Sequence, residues 1–372
     1  MSKGRWWVVI LVAGVVYLGV AGCVIFTTQA GTGAHTAGDG SSDQPILASG
    51  HAEGLPFRGV AMQVQRIDDM MDYGRSVDKI AALGADTIEF VVDAKQENGK
   101  STRIFIDVRS EPTQEKLGAL IDYAHSRKLR VVLMPIVLMD APIDNEWRGT
   151  IGPAVWEDWW DSYREMIHYY DQVAEQHHVE MFAVGSELNT TYTAKGQWTR
   201  TIRQARGEFH GMLTYSANWD RYDTFPCWDQ LDVMGMNSYF SLTSTKPGAN
   251  EPVTVQSIDR YWAEIQKDIL NYGRKIKKPV VMMEVGWCSQ ANQAKSPWDY
   301  TQESEPIDLD LQRKLYEGFF ETWYGKKGFG GFMLWAWSPN SSGPLDRGYT
   351  PEGKPAEAVV KEWFAKGTWP ME

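Results

Sequence analysis

The most constraining feature of this sequence is an alternation of short β-rich runs with longer helical patterns, repeated eight times from about residue 57 onward. The β-rich runs, such as "TIEFVVDA" and "RVVLMPIVLM", are apolar throughout instead of alternating with polar residues. Continuous apolar strands are typical of a parallel sheet that is buried on both faces. Eight strand–helix units over this length predict a single (β/α)8 barrel, the TIM barrel fold.

An open doubly wound sheet is the alternative architecture for such an alternation. A dinucleotide-binding fold of that type carries a Gly-rich phosphate turn after its first strand. No such turn follows "FRGVAMQVQ", so the barrel is favoured. The fifth unit has the weakest helical pattern, around Asp223 to Leu231.

The first 26 residues form a segment distinct from the rest of the chain. Lys3 and Arg5 precede a long apolar run without charge. This pattern fits a cleaved signal peptide, a lipoprotein signal with Cys23 as the lipidated residue, or a transmembrane anchor. Each alternative places the remainder outside the cytoplasm, secreted or tethered to the membrane. Residues 27–56 are rich in small and polar residues and predict a flexible linker, followed by the (β/α)8 barrel domain over residues 57–372.

Composition narrows the class of ligand. The net charge of −11 argues against nucleic acid as a partner, because phosphate binding requires clustered Lys and Arg. None of the three cysteines has the spacing of a metal site, so we expect no metal and no other cofactor. Cys227 and Cys288 are left as a possible disulfide pair. We expect a monomer whose only membrane contact is the N-terminal segment.

The chain contains 17 tryptophans, an unusually high number. Several fall at helical spacing, and we expect those to pack against the barrel. They are Trp156, Trp159 and Trp160 in one helix and Trp198 and Trp262 in two others. Tryptophans outside the helices remain available to stack against the flat face of a ligand.

In a (β/α)8 barrel, functional side chains gather at the carboxyl ends of the strands. In chain order, the residues at those ends are Gln63 and Gln65, Asp93, Asp140, Glu187 and Asn189, Asn218 and Trp219, Asn237 and Tyr239, Glu284 and Trp287, and Trp335 and Trp337. Two glutamates, Glu187 and Glu284, end apolar strands. The aromatic and amide residues around them are side chains that bind sugars by stacking and hydrogen bonding.

A pair of carboxyl groups across one pocket is what glycoside hydrolysis requires. One carboxyl must be protonated to donate to the departing oxygen, and the other must be ionised. Two nearby carboxyls produce this division themselves, since each disfavours ionisation of the other. The structural alternative is that each glutamate is paired with a Lys or Arg, but "VVMMEVGW" around Glu284 contains no cation.

These residues resemble the clan A glycoside hydrolases, and within that clan the sequence is most similar to glycoside hydrolase family 113, whose known members are mainly β-1,4-mannanases. The similarity extends over nearly all of the predicted catalytic domain. It rests on several motifs in the same order, which are "WRGTIGP", "WEDWWDSYREMIHYY", "FAVGSELNTT", "LTYSANWD", "WDQLDVMGMNSYF", "VVMMEVGW", "GFMLWAW" and "GKPAEAVVKEWF". Ser186, where many clan A enzymes have Asn, agrees with family 113.

The resemblance implies a role for each matching position. Glu187 is expected to be the acid/base, Glu284 the nucleophile, and Tyr239 the residue that hydrogen-bonds the nucleophile. The expected substrate-binding residues are Trp335 under the sugar at the cleavage point, together with Asn218, Trp219 and Trp147. The strand-end residues Asn189 and Trp337 are added as candidate substrate contacts.

The sequence therefore predicts a retaining glycoside hydrolase that cleaves β-1,4-linked polysaccharide, with endo-β-1,4-mannanase as the leading hypothesis. Two alternatives remain open at this stage. One is a hydrolase of another β-linked glycan, such as an amino-sugar or cell-wall polymer. The other is a catalytically inactive barrel that binds carbohydrate.

Overall fold

The fold is known from a computed structural model, which describes residues 54–246, 251–301, 305–341 and 343–370. The predicted membrane or secretion segment, Cys23 and nearly all of the predicted linker lie outside the described residues. Within the described ranges, no helix is long and apolar enough to cross a membrane.

Eight parallel strands form a closed barrel, which confirms the predicted fold class. The strands are β1 (Phe57–Gln63), β2 (Thr87–Gln96), β4 (Arg130–Met139), β5 (Met181–Ser186), β6 (Met212–Ala217), β7 (Met234–Asn237), β8 (Val280–Val285) and β9 (Phe329–Trp337), with a short β3 (Ile104–Phe105) outside the barrel. Neighbouring strands pair in chain order, and β1 closes the barrel by pairing with both β9 and β2. β3 adds to β2 in the antiparallel direction.

Helices surround the barrel in the part of the chain that is described. They are α1 (Met70–Ala82), α2 (Gln114–Ser126), α3 (Trp156–Gln176), α4 (Lys195–Glu208), α5 (Val255–Ile276), α6 (Leu309–Trp323) and α7 (Pro355–Phe364). The weak helix predicted around Asp223 to Leu231 is not an α-helix: between β6 and β7 the chain forms only a 3-10 turn over Trp228–Gln230. Pro226 explains the difference, because proline disfavours the helical conformation of the residue before it and cannot donate a backbone hydrogen bond.

The apolar side chains form two layers. An inner core fills the barrel and takes residues from or beside all eight barrel strands, including Ala61, Val132 and Met283. An outer core lies between the strands and the helices and contains Trp159, Trp160, Trp198 and Trp262, as predicted. Trp156 differs, because its ring is 38% exposed and meets only the edge of this layer.

The two described cysteines are both buried and both free. The Sγ atom of Cys227 lies near Thr199 and the carbonyl oxygen of Lys195. Cys288 instead lies in the wall of a cavity at the carboxyl end of the barrel. The possible disulfide between them is therefore absent from this structure.

Glu89 is a fully buried carboxyl group in the barrel interior. Its register partners on β1 and β4, Ala61 and Val132, both belong to the inner core, so Glu89 points inward. Neither of its carboxyl oxygens has a hydrogen-bond partner among the described residues. Burial, and secondly the charge of Glu284, raise the pKa of Glu89 well above its usual value of 4.5.

We expect Glu89→Gln to flatten the pH dependence of stability. A group whose pKa is higher in the folded than in the unfolded state stabilises the fold below the unfolded pKa and loses that contribution as pH rises. In the wild type, the free energy of unfolding therefore falls by about 1.4 kcal/mol per pH unit between the unfolded and the folded pKa of Glu89. Urea unfolding at about pH 5 and pH 8 measures the difference. Parallel curves for the two proteins would contradict a protonated Glu89.

Candidate active site

Both predicted catalytic glutamates lie at or directly after a shift in strand register. The register of β5 against β6 shifts between Ala183 and Ser186, one residue before Glu187. The register of β8 against β9 shifts between Met282 and Val285, on either side of Glu284. Such bulges re-aim side chains at barrel rims. They explain how Met283 can join the inner core while its neighbour Glu284 lines the cavity above it.

The backbone at Glu187 has an unusual conformation. Its φ of 56° lies in the left-handed region, which non-glycine residues rarely adopt. The Glu187 amide donates to the carbonyl of Ser216 on β6 at 2.9 Å, which ties the end of β5 to its neighbour. Two residues earlier, a Cβ at Gly185 would overlap the hydroxyl of Tyr163 from α3, so only glycine fits there. Neighbouring elements thus fix the point from which the Glu187 side chain leaves the strand.

Each oxygen of the Glu187 carboxyl receives a nitrogen donor. Arg148 Nη2 lies 2.7 Å from Glu187 Oε2, and Asn237 Nδ2 donates to Glu187 Oε1. The backbone amide of Trp219 donates to Asn237 Oδ1 at 2.7 Å, which leaves the Asn237 amino group facing Glu187. Arg148 from a connection and Asn237 from β7 therefore converge on this carboxyl, and a residue of a second connection, Trp219, orients Asn237.

The Glu284 carboxyl has a different environment. The Tyr239 hydroxyl donates to Glu284 Oε2 at 2.8 Å, whereas Oε1 has no hydrogen-bond partner among the described residues. Burial, and secondly the charge of Glu187, raise the pKa of Glu284 to about 7, opposed by Arg148 and by the Tyr239 hydrogen bond. Glu284 is therefore poised to change its charge near neutral pH.

Two adjoining cavities form a cleft at this end of the barrel. The smaller one, of about 480 Å³, contains both glutamates, and the larger one, of about 790 Å³, extends toward β1. Four residues line both cavities, namely Arg148, Tyr300, Trp335 and Tyr349. The described residues contain no group of three or more His, Cys, Asp or Glu side chains that could hold a metal ion.

Most of the predicted site residues meet in this cleft. Those that line the smaller cavity are Glu187, Glu284, Tyr239, Trp335, Trp219, Asn218 and Trp147. Trp337 lines only the larger cavity, and its ring also packs in the outer core. Asn189 begins a 3-10 turn beside Glu187 and lines neither cavity, so its contact with substrate stays a prediction.

Sequence reasoning missed several residues that complete the cleft. Arg148 was unassigned because it lies in a connection, where no periodicity indicates which way a side chain points. Asn237 was recognised as a strand-end residue, but its contact with Glu187 depends on the tertiary fold. Trp298 and Tyr300, from the β8–α6 connection, also line the smaller cavity. The ring of Trp298 stacks on Trp219 at 5.7 Å between centroids.

The sequence profile described as Glycoside Hydrolase Family 113 matches residues 70–354, which include every residue that lines the smaller cavity. The chain belongs to glycoside hydrolase family 113. It is therefore a glycoside hydrolase, as the strand-end glutamates predicted. A search of curated proteins gave no match to this chain.

Solved structures of family 113 enzymes resemble the whole barrel. The family 113 β-mannanase from Alicyclobacillus acidocaldarius, solved in complex with ManMIm, is 25% identical with a TM-score of 0.76, covering 85% of this chain and 99% of that one. A structure of a family 113 β-1,4-mannanase complex is 24% identical with a TM-score of 0.71, covering 84% and 99%. Another family 113 β-1,4-mannanase structure is 24% identical with a TM-score of 0.73, covering 83% and 98%.

Proposed function

We propose that this glycoside hydrolase is an endo-acting β-1,4-mannanase that retains the configuration of the sugar it cleaves. The observation that carries the proposal is that Glu187 and Glu284, from β5 and β8, line one cavity of about 480 Å³. Two carboxyl groups on either side of one bound sugar are what a double displacement needs. The names of the similar structures support mannan as the substrate.

The reaction has two steps. In the first, a Glu284 oxygen attacks the anomeric carbon while Glu187 gives its proton to the departing glycosidic oxygen, leaving a glycosyl ester on Glu284. In the second, Glu187 takes a proton from water, and the resulting nucleophile breaks the ester and releases the sugar. The net change is the addition of one water molecule across the glycosidic bond.

The cavity walls suit a chain of sugar rings. Trp335 lines both cavities, and we assign its ring as the floor under the sugar at the cleavage point. Trp147 and the stacked pair of Trp219 and Trp298 line the cavity that holds the glutamates. Because the cleft continues past Trp335 into the larger cavity, a polysaccharide has room on both sides of the cleavage point, which supports the endo mode.

We expect Tyr239→Phe to lower kcat/KM on mannan oligosaccharides by about 10²-fold. The change removes the hydroxyl that donates to Glu284 Oε2 and keeps the ring. Without that donor the pKa of Glu284 rises further, so the kcat/KM profile should move to higher pH. A pH profile measured with the purified variant tests both effects. An unchanged pH profile would contradict the role of Tyr239 in holding the nucleophile ionised.

The function is tested by incubating the full-length protein with a panel of β-linked polymers and following new reducing ends. The panel contains β-1,4-mannan, glucomannan, cellulose, xylan, chitin and peptidoglycan. Mannan should be cleaved fastest, with internal cuts that shorten the chains early. NMR of the first products should show the β-anomer before mutarotation. If another polymer is cleaved fastest, that glycan is the substrate. If no polymer is cleaved, the protein is better described as one that binds carbohydrate.

We also propose that the protein acts outside the cytoplasm. The support is the N-terminal sequence, with Lys3 and Arg5 ahead of an uncharged apolar run. Separating the membrane and soluble fractions of cells that express the full-length chain distinguishes a tethered from a released enzyme. A Cys23→Ala variant that leaves the membrane would identify the lipid anchor.

A further inference from the structure

We propose that Arg148 is a positioning residue that keeps Glu187 ionised in the empty site, and that bound glycan displaces it so that the proton shared by the two glutamates passes to Glu187. The inference rests on the proposed function. It concerns a residue from the connection between β4 and α3, within a 3-10 turn over Arg148–Thr150. Its consequence is that the acid catalyst becomes an acid only when substrate is present.

The hydrogen bonds around Glu187 select its ionised form. Arg148 lies against one carboxyl oxygen at 2.7 Å, and a guanidinium group has donors but no acceptor. The other oxygen accepts from the amino group of Asn237, whose orientation is set by the Trp219 amide. A proton on Glu187 would therefore face a donor on either side. The empty site suits a carboxylate at this position.

Glu284 can accommodate the proton that Glu187 excludes. Its Oε1 atom is buried and has no hydrogen-bond partner among the described residues. Burial and the nearby charge of Glu187 raise the pKa of Glu284 to about 7. When the pair holds one proton near neutral pH, that proton resides on Glu284 in the empty site. Cleavage requires the reverse arrangement, with the proton on Glu187.

Substrate can reverse the arrangement by replacing Arg148. The glycosidic oxygen must come within hydrogen-bond reach of Glu187, yet both oxygens of that carboxyl are already occupied. Asn237 belongs to β7 and is held by a second hydrogen bond. Arg148 is carried by a connection, is 18% exposed, and has an Nε atom without a partner among the described residues. Arg148 is therefore the donor that an entering sugar displaces.

Loss of this contact moves one proton and needs no other reactant. Arg148 forms an ion pair with Glu187 at 2.7 Å and, among the described residues, none with Glu284. When the guanidinium leaves, the ionised form of Glu187 loses more stabilisation than that of Glu284. A proton then leaves Glu284 Oε1 and a Glu187 oxygen gains it. Glu284 becomes the ionised nucleophile and Glu187 the acid.

Four other titratable groups face the pair, and burial pushes each of them toward its neutral form. They are Glu89 on β2, Tyr192 after β5, Tyr239 after β7 and Tyr349 between β9 and α7. Burial raises the pKa of each of them, which favours the neutral form of all four. Among the described residues that line the smaller cavity, Arg148 is the one cation.

The first test compares the pH dependence of kcat/KM on a β-1,4-mannan oligosaccharide for the full-length wild type and Arg148→Gln. Loss of the cation favours the protonated pair, so the alkaline limb should move up by about one pH unit or more. Arg148→Lys should restore the position of the limb. Arg200→Gln, which removes an exposed cation on α4, should leave it unchanged. An alkaline limb of folded Arg148→Gln within about 0.2 pH unit of the wild type overturns the proposal.

The second test reads the carboxyl groups directly and does not need turnover. Glutamate labelled with ¹³C at the carboxyl carbon gives one resonance for each group, and Glu187→Gln and Glu284→Gln identify the two that matter. In the empty wild type near neutral pH, Glu187 should be ionised. Adding an S-linked mannobioside, which is not cleaved, should protonate it at constant pH. The proposal is overturned if Glu187 is protonated in the empty wild type. It is also overturned if Glu187 stays ionised when the ligand is added.

These tests separate the failure of this inference from the failure of the proposed function. If no glycan is hydrolysed, the proposed function fails. The labelled carboxyls of the empty wild type and Arg148→Gln still show whether Arg148 holds Glu187 ionised. If mannan is hydrolysed but Glu187 is protonated in the empty wild type, the function stands and the role of Arg148 is wrong.

Discussion

Replacing Glu284 by alanine is expected to lower kcat on mannan by about 10⁵-fold or more, because no other group can form the glycosyl ester. The Tyr239 hydroxyl loses its acceptor, but the barrel around the site stays intact. The variant should still bind mannan oligosaccharides, since the aromatic cavity walls are unchanged. Initial rates and isothermal titration calorimetry on the same preparation measure the two quantities.

Adding azide to Glu284→Ala tests whether the missing group is the nucleophile. The shortened side chain leaves space beneath the anomeric carbon, which a small anion can enter. With an activated aryl β-mannoside, azide should restore turnover and form the α-glycosyl azide by a single displacement. Glu362→Ala, on the exposed side of α7, is the matched control and should behave as the wild type. Undiminished mannan hydrolysis by folded Glu284→Ala would remove Glu284 from the mechanism.

Replacing Glu187 by alanine is expected to separate substrates by their leaving groups. Mannan needs a proton on its departing oxygen, so kcat/KM should fall by about 10³- to 10⁴-fold. The dinitrophenolate of a dinitrophenyl β-mannobioside leaves without that proton, so formation of the glycosyl-enzyme should slow far less. Because hydrolysis of the glycosyl-enzyme still needs Glu187 as a base, this intermediate should accumulate. Burst kinetics and intact-protein mass spectrometry detect that accumulation.

The Glu187→Ala variant also controls for the strained backbone at this position. Alanine keeps a Cβ, so the cost of the left-handed conformation at φ 56° is the same as for glutamate. Glu362→Ala again serves as the control for an exposed position. Azide should produce the β-glycosyl azide from the accumulated intermediate. Equal losses on mannan and on the dinitrophenyl substrate would contradict an acid/base role.

The barrel could be predicted because its signal is local. Each strand is a continuous apolar run, and each helix has its own 3.6-residue period, so neither depends on distant contacts. The fifth unit was the weak point of that reading. There the ring of Phe225 stacks on that of Tyr215 at 4.2 Å between centroids, and Pro226 follows it. Side-chain packing thus fills the place that the predicted helix would occupy.

The positions of the two glutamates followed from the same reasoning, but their environments did not. Arg148 reaches Glu187 from a connection, and the hydrogen bond from Asn237 to Glu187 links side chains 50 positions apart in sequence. The register shifts in β5 and β8 also leave no periodic signal in a strand that is apolar throughout. Sequence reasoning left a Lys or Arg partner open as an alternative for each glutamate, and the structure places Arg148 beside Glu187.

The sequence alone determined the eight-stranded barrel, the family and the two strand ends that carry glutamates, since hydrophobic period and motif order are properties of neighbouring residues. Only the tertiary structure decided which hydrogen-bond donors face each carboxyl. That assignment depends on how connections fold over the barrel rim and on one-residue shifts in strand register. The ion pair between Arg148 and Glu187 at 2.7 Å is such a long-range contact, because it joins residues from two different connections at the barrel rim.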